Sequence, residues 1–373
     1  MAGIYLHIPF CRQACTYCNF HFTTSLRHKA GLVEALEQEL LLRRPYLEGA
    51  PVETVYFGGG TPSLLSLDEC RRLLDAVRRH YPVQAGAEIT WEANPDDITP
   101  EKIRGWMEAG INRLSIGVQS FFEEDLRWMN RAHSAAQAQD CIRHCQESGL
   151  TNLSIDLIYG SPGLTDARWE ANVRQAIDLQ IPHLSCYALT VEEKTPLHKM
   201  IRLQKAADTD GDAQAQQFLL LMQWLRAAGY EHYEVSNFAR PGMRSRHNSS
   251  YWRGVPYLGI GPSAHSFNGR ERSWNIAHNA RYIESVSKGL PAAETEVLTP
   301  EQALNECIMI SLRTKEGLNL DTVAERWGMK QAAALEKPIS RWLSTGRLER
   351  TGNTVVLTDE GMLMADGIAA DLF

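Results

Sequence analysis

The first 190 residues alternate between short apolar segments and amphipathic segments, and this alternation limits the fold more than any other feature of the sequence. Six strands are predicted, at residues 4–8, 54–57, 88–92, 113–118, 153–159 and 183–188. A pattern with the helical period follows each of the first five strands, and the helical region after the fourth strand covers residues 123–145. Because strands that alternate with helices pair in parallel, the sequence predicts an α/β fold that winds doubly or curves into an open barrel.

The residues with the most distinctive chemistry lie at or just beyond the carboxyl ends of the predicted strands. Cysteines follow the first strand, glycines 58–60 follow the second, Glu92 ends the third, and Gln119 follows the fourth. Asp156 lies inside the fifth strand and fits the pattern less well. In α/β sheets and barrels, ligands bind at the edge formed by these strand ends. We therefore expect a ligand site at this edge.

Three cysteines, Cys11, Cys15 and Cys18, follow the first strand in the spacing C-x3-C-x2-C. Soft thiolates in a loop this short select zinc or an iron–sulfur cluster. Closed sites of both kinds normally take four ligands, and the loop supplies three thiols. His7 and His21 are the nearby candidates for the fourth ligand of a Cys3His zinc site. Alternatively, three thiolates on a [4Fe–4S] cluster leave one iron open for a substrate or cofactor.

Composition limits the classes of binding partner and the cellular compartment that we expect for the protein. The net charge is −7 and no long basic block is present, which argues against a large nucleic-acid surface. We find no secretory signal and no apolar run of about 18 residues, so no transmembrane segment is expected. Eight cysteines in a chain of 373 residues indicate a reducing compartment, and hence a cytoplasmic protein. Cys141 and Cys145 could form half of a metal site, but small buried residues explain their helical spacing better.

The alternation ends near residue 190, and two further regions follow. Residues 191–295 contain an amphipathic helix, a glycine-rich segment at 258–266 and an aromatic run, and we expect them to complete or cover the barrel. Thr299 and Pro300 begin a typical helix start, which places the second boundary at 296. Residues 296–373 then predict three helices, a hairpin around Gly352 and a last helix that reaches Phe373, as in a winged-helix module. Acidic residues at 359–371 argue against DNA binding, so we expect this module to act as a lid or in docking.

The cysteine loop resembles the signature of radical S-adenosylmethionine (SAM) proteins, with Tyr17 as the aromatic residue before the third cysteine. The resemblance implies a partial (βα)6 barrel and a [4Fe–4S] cluster on Cys11, Cys15 and Cys18. It also implies that the amino and carboxylate groups of SAM bind the fourth iron.

The chain offers suitable residues for each part of SAM. Gly58-Gly59-Gly60 provides backbone without side chains beside the methionine part. Gln119 and Asp156 are of the right type for the ribose hydroxyls, and Arg131 is a cation for the methionine carboxylate. Each residue alone has an ordinary explanation, such as a turn or a solvated charge. Their common placement at one edge of the sheet favours a binding site.

Longer motifs resemble the oxygen-independent coproporphyrinogen III oxidase family over nearly the whole chain. They are YLHIPFC at residues 5–11, FGGGTP at 57–62, GVQSF at 117–121 and IDLIYG at 155–160. By this resemblance, the SAM site would be lined by Tyr5, Gly59, Gly60, Thr61, Glu92, Gln119, Arg131 and Asp156.

Three features separate the branches of this family. The true oxidases carry a further cysteine two positions after the third cluster cysteine and a longer N-terminal segment, whereas this sequence has Phe20 and ten residues before Cys11. The run His247-Asn248-Ser249-Ser250-Tyr251-Trp252 matches the H-N-x-x-Y-W motif of the HemW-type haem chaperone branch. An imidazole is a good axial ligand for haem iron, and Tyr251 and Trp252 offer flat surfaces for the macrocycle. The alternative is that His247 only satisfies a loop carbonyl.

The resemblance therefore implies a haem chaperone that binds haem and transfers it to an acceptor protein of unknown identity. The cluster and SAM would regulate the transfer, through dimerisation or docking, and peripheral membrane docking stays open. The alternative is an oxygen-independent coproporphyrinogen III oxidase. In that enzyme, cleavage of SAM gives a 5′-deoxyadenosyl radical that abstracts hydrogen from two propionates, and loss of CO2 leaves vinyl groups. Phe20, the short N-terminal segment and the His247 motif favour the chaperone, with no porphyrinogen oxidase activity.

Overall fold

The computed structural model describes residues 1–373 and contains a twelve-stranded sheet and a three-stranded sheet. Strands and helices alternate through the first half: β1 (Ala2–Ile8), α1 (Lys29–Leu42), β2 (Val52–Gly59), α2 (Leu67–His80), β3 (Val83–Ala93), α3 (Pro100–Ala109), β4 (Arg113–Gln119), α4 (Glu123–Trp128), α5 (Ala135–Glu147), β5 (Leu153–Tyr159), α6 (Asp166–Asp178) and β6 (His183–Ala188). Strands β1 to β6 are neighbours in chain order, and each adjacent pair is parallel. The predicted α/β class is confirmed.

Residues 191–295 extend the large sheet at both edges. They form α7 (Pro196–Arg202), α8 (Gly211–Ala227), β7 (Glu231–Glu234), β8 (Asn237–Ala239), α9 (Arg246–Trp252), β9 (Tyr257–Ile260), β10 (His265–Phe267), β11 (Glu271–Asn275), α10 (Asn279–Ser287) and β12 (Ala293–Val297). Strand β8 pairs antiparallel with β6, and β9 pairs parallel with β1. The complete strand order is β12-β11-β10-β9-β1-β2-β3-β4-β5-β6-β8-β7. Because β1 and β6 each pair with an added strand, the six-stranded unit does not close on itself.

The two faces of the central strands differ in chemistry. Side chains such as Ile4, Leu6 and Trp91 are fully buried between the sheet and the surrounding helices. The alternate residues are mostly polar, and Tyr56, Glu92, Asp156 and Tyr187 of four different strands line one small interior cavity. Side chains from β2, β3, β5 and β6 can meet around one cavity only if the sheet curves. This geometry is the predicted partial barrel, and the structure shows that its interior is polar.

The helical region predicted at 123–145 is interrupted in the structure. Helix α4 ends at Trp128, and Asn130 takes a left-handed conformation with φ of 55°. Ser134 then starts α5 with a capping box, in which its side chain and that of Gln137 satisfy each other's backbone N–H groups. The break places Arg131 in the turn between the two helices, where it can reach the barrel edge.

The C-terminal region has a separate core of fifteen buried residues. Its elements are α11 (Pro300–Leu312), β13 (Leu318–Asn319), α12 (Leu320–Trp327), α13 (Met329–Ser344), β14 (Leu348–Thr351), β15 (Thr354–Leu357), α14 (Asp359–Met362) and α15 (Ala365–Asp371). The predicted last helix is two short helices, and a two-residue strand joins the hairpin to give the order β13-β15-β14. The arrangement of three helices and a hairpin is that of the predicted winged-helix-like module. Across the whole chain, no helix has both the length and the apolar character that crossing a bilayer requires.

Candidate functional site

The cysteine loop lies between β1 and α1, at the carboxyl end of the barrel. Cys11, Cys15 and Cys18 all line one cavity of about 400 Å³ at this end. The Thr61 hydroxyl donates a hydrogen bond to the Cys11 Sγ over 3.6 Å, and the Arg131 Nη1 donates to the Cys15 Sγ over 3.2 Å. The predicted cysteines are thus brought together, and two of them already contact donors that stabilise a thiolate.

Burial disfavours the charged form of these thiols in the absence of iron. It raises the pKa of Cys11 to about 11 and also raises the pKa of Cys18. A metal-bound thiol is deprotonated because the positive metal offsets this cost. The loop therefore suits thiols whose charge is balanced by a metal centre.

The zinc alternative lacks a fourth ligand. His7 donates from Nε2 to the His21 carbonyl over 2.9 Å and accepts at Nδ1 from the Tyr5 hydroxyl over 3.1 Å. His21 shares a 2.7 Å hydrogen bond with the Asn279 amide oxygen. No group of three or more His, Cys, Asp or Glu side chains is arranged around a point where one metal ion would bind. Three thiols around a wider cavity fit a cluster, in which different irons take different cysteines.

Glycines 59 and 60 allow strand β2 to pass closely behind the cysteine loop. Gly59 has φ of 107°, and a Cβ there would lie 2.4 Å from the His7 ring. A Cβ on Gly60 would lie 2.7 Å from the carbonyl oxygen of Phe10. No other residue fits this backbone without moving the loop. The N–H of Gly59 donates to Glu92 over 3.1 Å, so the glycines also hold one wall of the cavity.

Two half-buried carboxylates, Glu92 and Asp156, lie on the interior wall of the cavity, and neither forms an ion pair. Burial raises the pKa of Glu92 to about 7, although Glu92 accepts a 2.7 Å hydrogen bond from the Tyr56 hydroxyl. Burial also raises the pKa of Asp156 to about 6, beside hydroxyls of Ser185 and Ser115. A poorly solvated carboxylate without an ion pair is costly, and an amine or a diol would offset the cost. Both carboxylates therefore match the polar groups of SAM.

Arg131 spans the cysteine loop and strand β4. Its Nη2 donates to Asn94 and to the Gly117 carbonyl over 2.7 Å each, while its Nε is buried without any partner. A buried guanidinium N–H without a partner is costly, and an acceptor such as the methionine carboxylate of SAM would offset this cost. Gln119 closes the same wall with φ of 67°, a strained conformation that often marks functional positions.

Seven of the eight predicted SAM residues line the cluster cavity: Gly59, Gly60, Thr61, Glu92, Gln119, Arg131 and Asp156. The eighth, Tyr5, lies elsewhere. Its ring stacks with Tyr56 at a centroid distance of 6.0 Å, and it lines a neighbouring cleft. The SAM assignment of all eight residues stays a prediction.

Helix α9, which carries the H-N-x-x-Y-W motif, lies inside the amino end of the barrel. Glu88 caps its start by accepting from the backbone N–H groups of Arg246 and His247. The imidazole of His247 is buried, and its Nδ1 shares a 2.8 Å hydrogen bond with Thr54. Its Nε2 shares another of 2.8 Å with the Tyr251 hydroxyl.

His247 is therefore not an open axial ligand in this conformation. Both nitrogens are engaged, and the ring stacks on Tyr56 at a centroid distance of 5.0 Å. Burial lowers its pKa to about 3, so the ring is neutral. The alternative of a bond to a loop carbonyl is also absent, because both partners are hydroxyl groups. Coordination of iron by His247 would require at least the Tyr251 hydrogen bond to break.

Tyr251 and Trp252 reach the surface of a cleft of about 490 Å³ next to the cluster cavity. Tyr5, Tyr257 and Phe267 are further aromatic walls, and the Tyr257 ring meets the Tyr251 ring edge to face at a centroid distance of 4.6 Å. Phe20 lines both the cleft and the cluster cavity, and 68% of its surface is exposed. We call this space the aromatic cleft. Its walls present flat apolar surfaces to a planar ligand.

Sequence reasoning missed two residues of this region, Glu39 and His265. The buried carboxylate of Glu39 on α1 accepts from the Gly261 N–H, the Asn275 amide and the Tyr282 hydroxyl. It thereby anchors the glycine-rich turn that leads to His265 at the cleft. The signal for Glu39 was a charged residue within an otherwise apolar helix face, and that for His265 was its place after the glycine-rich turn.

Similarity to known proteins covers both the barrel and the C-terminal region. The family model of the Radical SAM superfamily matches residues 5–176, and that of the HemN C-terminal domain matches residues 298–364. A curated haem chaperone HemW of Mycobacterium tuberculosis is 36% identical over 99% of this chain and 94% of its own length. That of Bacillus subtilis is 32% identical over 99% of this chain and 98% of its own length.

A third curated haem chaperone HemW, from Escherichia coli, is 40% identical over 70% of this chain and 69% of its own length. Among solved structures, coproporphyrinogen III oxidase (HemN) from Escherichia coli, a radical SAM enzyme, is similar with a TM-score of 0.86 at 25% identity. The similarity covers 100% of this chain and 89% of that chain. The predicted resemblance is confirmed in both the barrel and the C-terminal region.

Proposed function

Because the chain belongs to the HemW family within the radical SAM superfamily, we propose that it is a haem chaperone that binds haem and transfers it to an acceptor protein. The observation that carries the proposal is identity above 30% to curated haem chaperones over nearly the full length of both chains. The aromatic cleft supports it, since its size and flat apolar walls suit a macrocycle.

Membership of the radical SAM superfamily implies a [4Fe–4S] cluster and SAM. Cys11, Cys15 and Cys18 would hold the cluster, whose open iron supplies a binding point for the amino and carboxylate groups of SAM. Arg131 would pair with the carboxylate through its unpartnered Nε, and Glu92 would accept from the amino group. Gln119 and Asp156 are suited to the ribose hydroxyls.

Haem would bind as cargo in the aromatic cleft, between the H-N-x-x-Y-W segment and strands β9 to β11. Tyr251 and Trp252 would contact the macrocycle, and His247 would hold the Tyr251 hydroxyl from inside the barrel. The cluster and SAM would regulate the release of haem rather than modify it. We place this exchange in the cytoplasm. Docking of an acceptor, of a second copy or of a membrane surface would then trigger transfer.

Three measurements on anaerobically reconstituted protein test the proposal. Haem titration followed by absorbance should saturate near one haem per chain with a shifted Soret band. Mixing the loaded protein with apomyoglobin, used as a haem sink, should show transfer. Incubation with coproporphyrinogen III, SAM and a reductant should leave the porphyrinogen unchanged. Turnover of coproporphyrinogen III would favour the oxidase instead, and absence of haem binding would reject the chaperone.

A further inference from the structure

We propose that His265 supplies the imidazole that coordinates haem iron in the aromatic cleft, a role that rests on the proposed function. His265 begins strand β10 and lines the cleft opposite the segment that carries Tyr251 and Trp252. In this arrangement, the motif on α9 forms an aromatic wall and a different element provides the ligand.

The hydrogen-bond partners of the histidines near the cleft single out His265. His7 and His247 each use both ring nitrogens in hydrogen bonds, and His21 is bonded to Asn279. The His265 side chain is exposed and forms no hydrogen bond, and its only aromatic neighbour is Trp274 at a centroid distance of 6.4 Å. A nitrogen of His265 is therefore free to bind iron without the loss of an existing contact.

The chemical state of His265 is also suitable. Partial burial, together with the positive charge of Arg272, lowers its pKa below the ordinary value for histidine. The ring is then mostly neutral at pH 7, and neutral imidazole is the form that ligates iron. Six aromatic residues line the cleft and would surround the macrocycle with apolar surface: Tyr5, Phe20, Tyr251, Trp252, Tyr257 and Phe267.

The backbone that carries His265 is held firmly in place. A Cβ on Gly259 would lie 2.1 Å from the His265 carbonyl oxygen, so the two segments are in direct contact. The Ser266 hydroxyl accepts from the Gly259 N–H over 2.9 Å, and Glu39 accepts from the Gly261 N–H over 2.8 Å. These contacts fix the turn before any ligand arrives, which lowers the entropy lost on binding.

Arginines near the cleft offer partners for the two propionates of haem, although carboxylates line the same space. Arg272 lines the cleft and pairs with Glu306. Beyond Trp252, a second cavity of about 690 Å³ shares several walls with the cleft. Its lining carries four further arginines and two carboxylates, Glu306 and Glu316. Arg244 and Arg246 are in ion pairs with glutamates, whereas Arg253 and Arg326 form none. The macrocycle would thus rest on the aromatic walls with its propionates directed to this basic side.

The test compares His265→Ala with His247→Ala and with the control His28→Ala. His28 is exposed and lines neither the cleft nor the cluster cavity. Each reconstituted protein is titrated with haem and examined by absorbance and electron paramagnetic resonance. We expect His265→Ala to lose the spectrum of histidine-ligated haem and to bind haem at least about tenfold more weakly. The other two variants should keep the spectrum.

Two further measurements separate ligation from a structural role. Added imidazole should restore the histidine-type spectrum to His265→Ala, because it can occupy the space left by the ring. His265→Cys should give the distinct spectrum of thiolate-ligated haem. An unchanged spectrum in His265→Ala, or loss of the spectrum in His247→Ala with an unchanged thermal melt, would overturn the assignment and leave the chaperone proposal standing. Failure of the wild-type protein to bind haem would overturn both.

Discussion

The carboxylate of Glu39 is the strongest single anchor of the turn at the aromatic cleft, and its removal gives a quantitative prediction. It accepts from the Gly261 N–H and the Asn275 amide over 2.8 Å each, and from the Tyr282 hydroxyl over 2.5 Å. Asn275 and Tyr282 are almost completely buried. The substitution Glu39→Leu would remove the acceptor of all three groups in a buried region, and only the Asn275 amide, which also donates to the Gly261 carbonyl, would keep another partner.

The magnitude follows from these three donors. An unpaired buried donor costs about 1–3 kcal/mol, and relaxation of the site recovers part of the sum. Burial of the carboxylate is itself unfavourable, since it raises the pKa of Glu39, and the leucine removes this cost. We therefore expect Glu39→Leu to lower the free energy of unfolding by about 3–5 kcal/mol. Glu39→Gln keeps one acceptor oxygen and should cost less.

The assay is equilibrium unfolding in urea followed by circular dichroism, with Glu37→Leu as the control on the same helix. Glu37 forms an exposed ion pair with Arg72, and its loss should cost less than about 1 kcal/mol. Haem affinity should also fall in Glu39→Gln, because the turn carries His265. If Glu39→Leu and Glu37→Leu destabilise the protein equally, the anchoring role of Glu39 is wrong.

Two further predictions concern the cluster cavity. The pKa of Glu92 is raised from 4.5 to about 7, so the native state binds its proton more tightly than the unfolded state. The tighter binding of this proton stabilises the native state fully below pH 4.5. The free energy of unfolding should therefore fall by about 3 kcal/mol as the pH rises from 4.5 to 7. Urea unfolding of SAM-free protein should show this slope in the wild type but not in Glu92→Gln, and equal slopes would contradict the assignment. Gly59→Ala should destabilise the protein by at least about 2 kcal/mol, because its φ is 107° and its Cβ would overlap His7. The control Gly86→Ala, where a Cβ meets open space, should leave the free energy of unfolding nearly unchanged. If Gly59→Ala also leaves it unchanged, the loop can move to accept a side chain.

The edge of the barrel that carries the cysteine loop could be predicted from the sequence, because its residues follow strands that local sequence patterns predict. Each strand ends at a motif, and parallel pairing alone brings those motifs to one edge. The environment of His247 could not be predicted in this way. Its partner Thr54 is 193 positions away in the chain, and a seven-residue helix inside a barrel leaves no periodic signal.

Glu39 and His265 were missed for the same reason. The hydrogen bond from Gly261 to Glu39 joins positions 222 residues apart, so only the folded sheet shows what the carboxylate does. The break between α4 and α5 was visible in part, as Ser134 and Gln137 form a capping box inside the predicted helical region. Local signals thus gave the elements and the cluster edge, whereas long-range packing decides which histidine is free.

A continuous set of contacts joins the cluster cavity to the aromatic cleft, and it predicts that SAM and haem affect each other's binding. Glu92 accepts from the Tyr56 hydroxyl over 2.7 Å, and the Tyr56 ring stacks on His247. His247 in turn shares a hydrogen bond with Tyr251 at the cleft wall. A ligand amino group that recruits Glu92 would weaken its bond with Tyr56 and shift the position of the Tyr251 wall.

The variant Tyr56→Phe keeps the ring on His247 but removes the hydroxyl that Glu92 accepts from. In the wild type, saturating SAM should change the haem Kd by at least about fivefold, and haem should change the Kd of SAM by the same factor, as linkage requires. In Tyr56→Phe, both effects should fall below about twofold, whereas Tyr187→Phe, which removes a hydroxyl elsewhere on the cavity wall, should keep them. An equal effect of SAM in the wild type and in Tyr56→Phe would show that this hydroxyl does not couple the two sites. Regulation of haem release would then have to act through the cysteine loop and through Phe20, which lines both cavities.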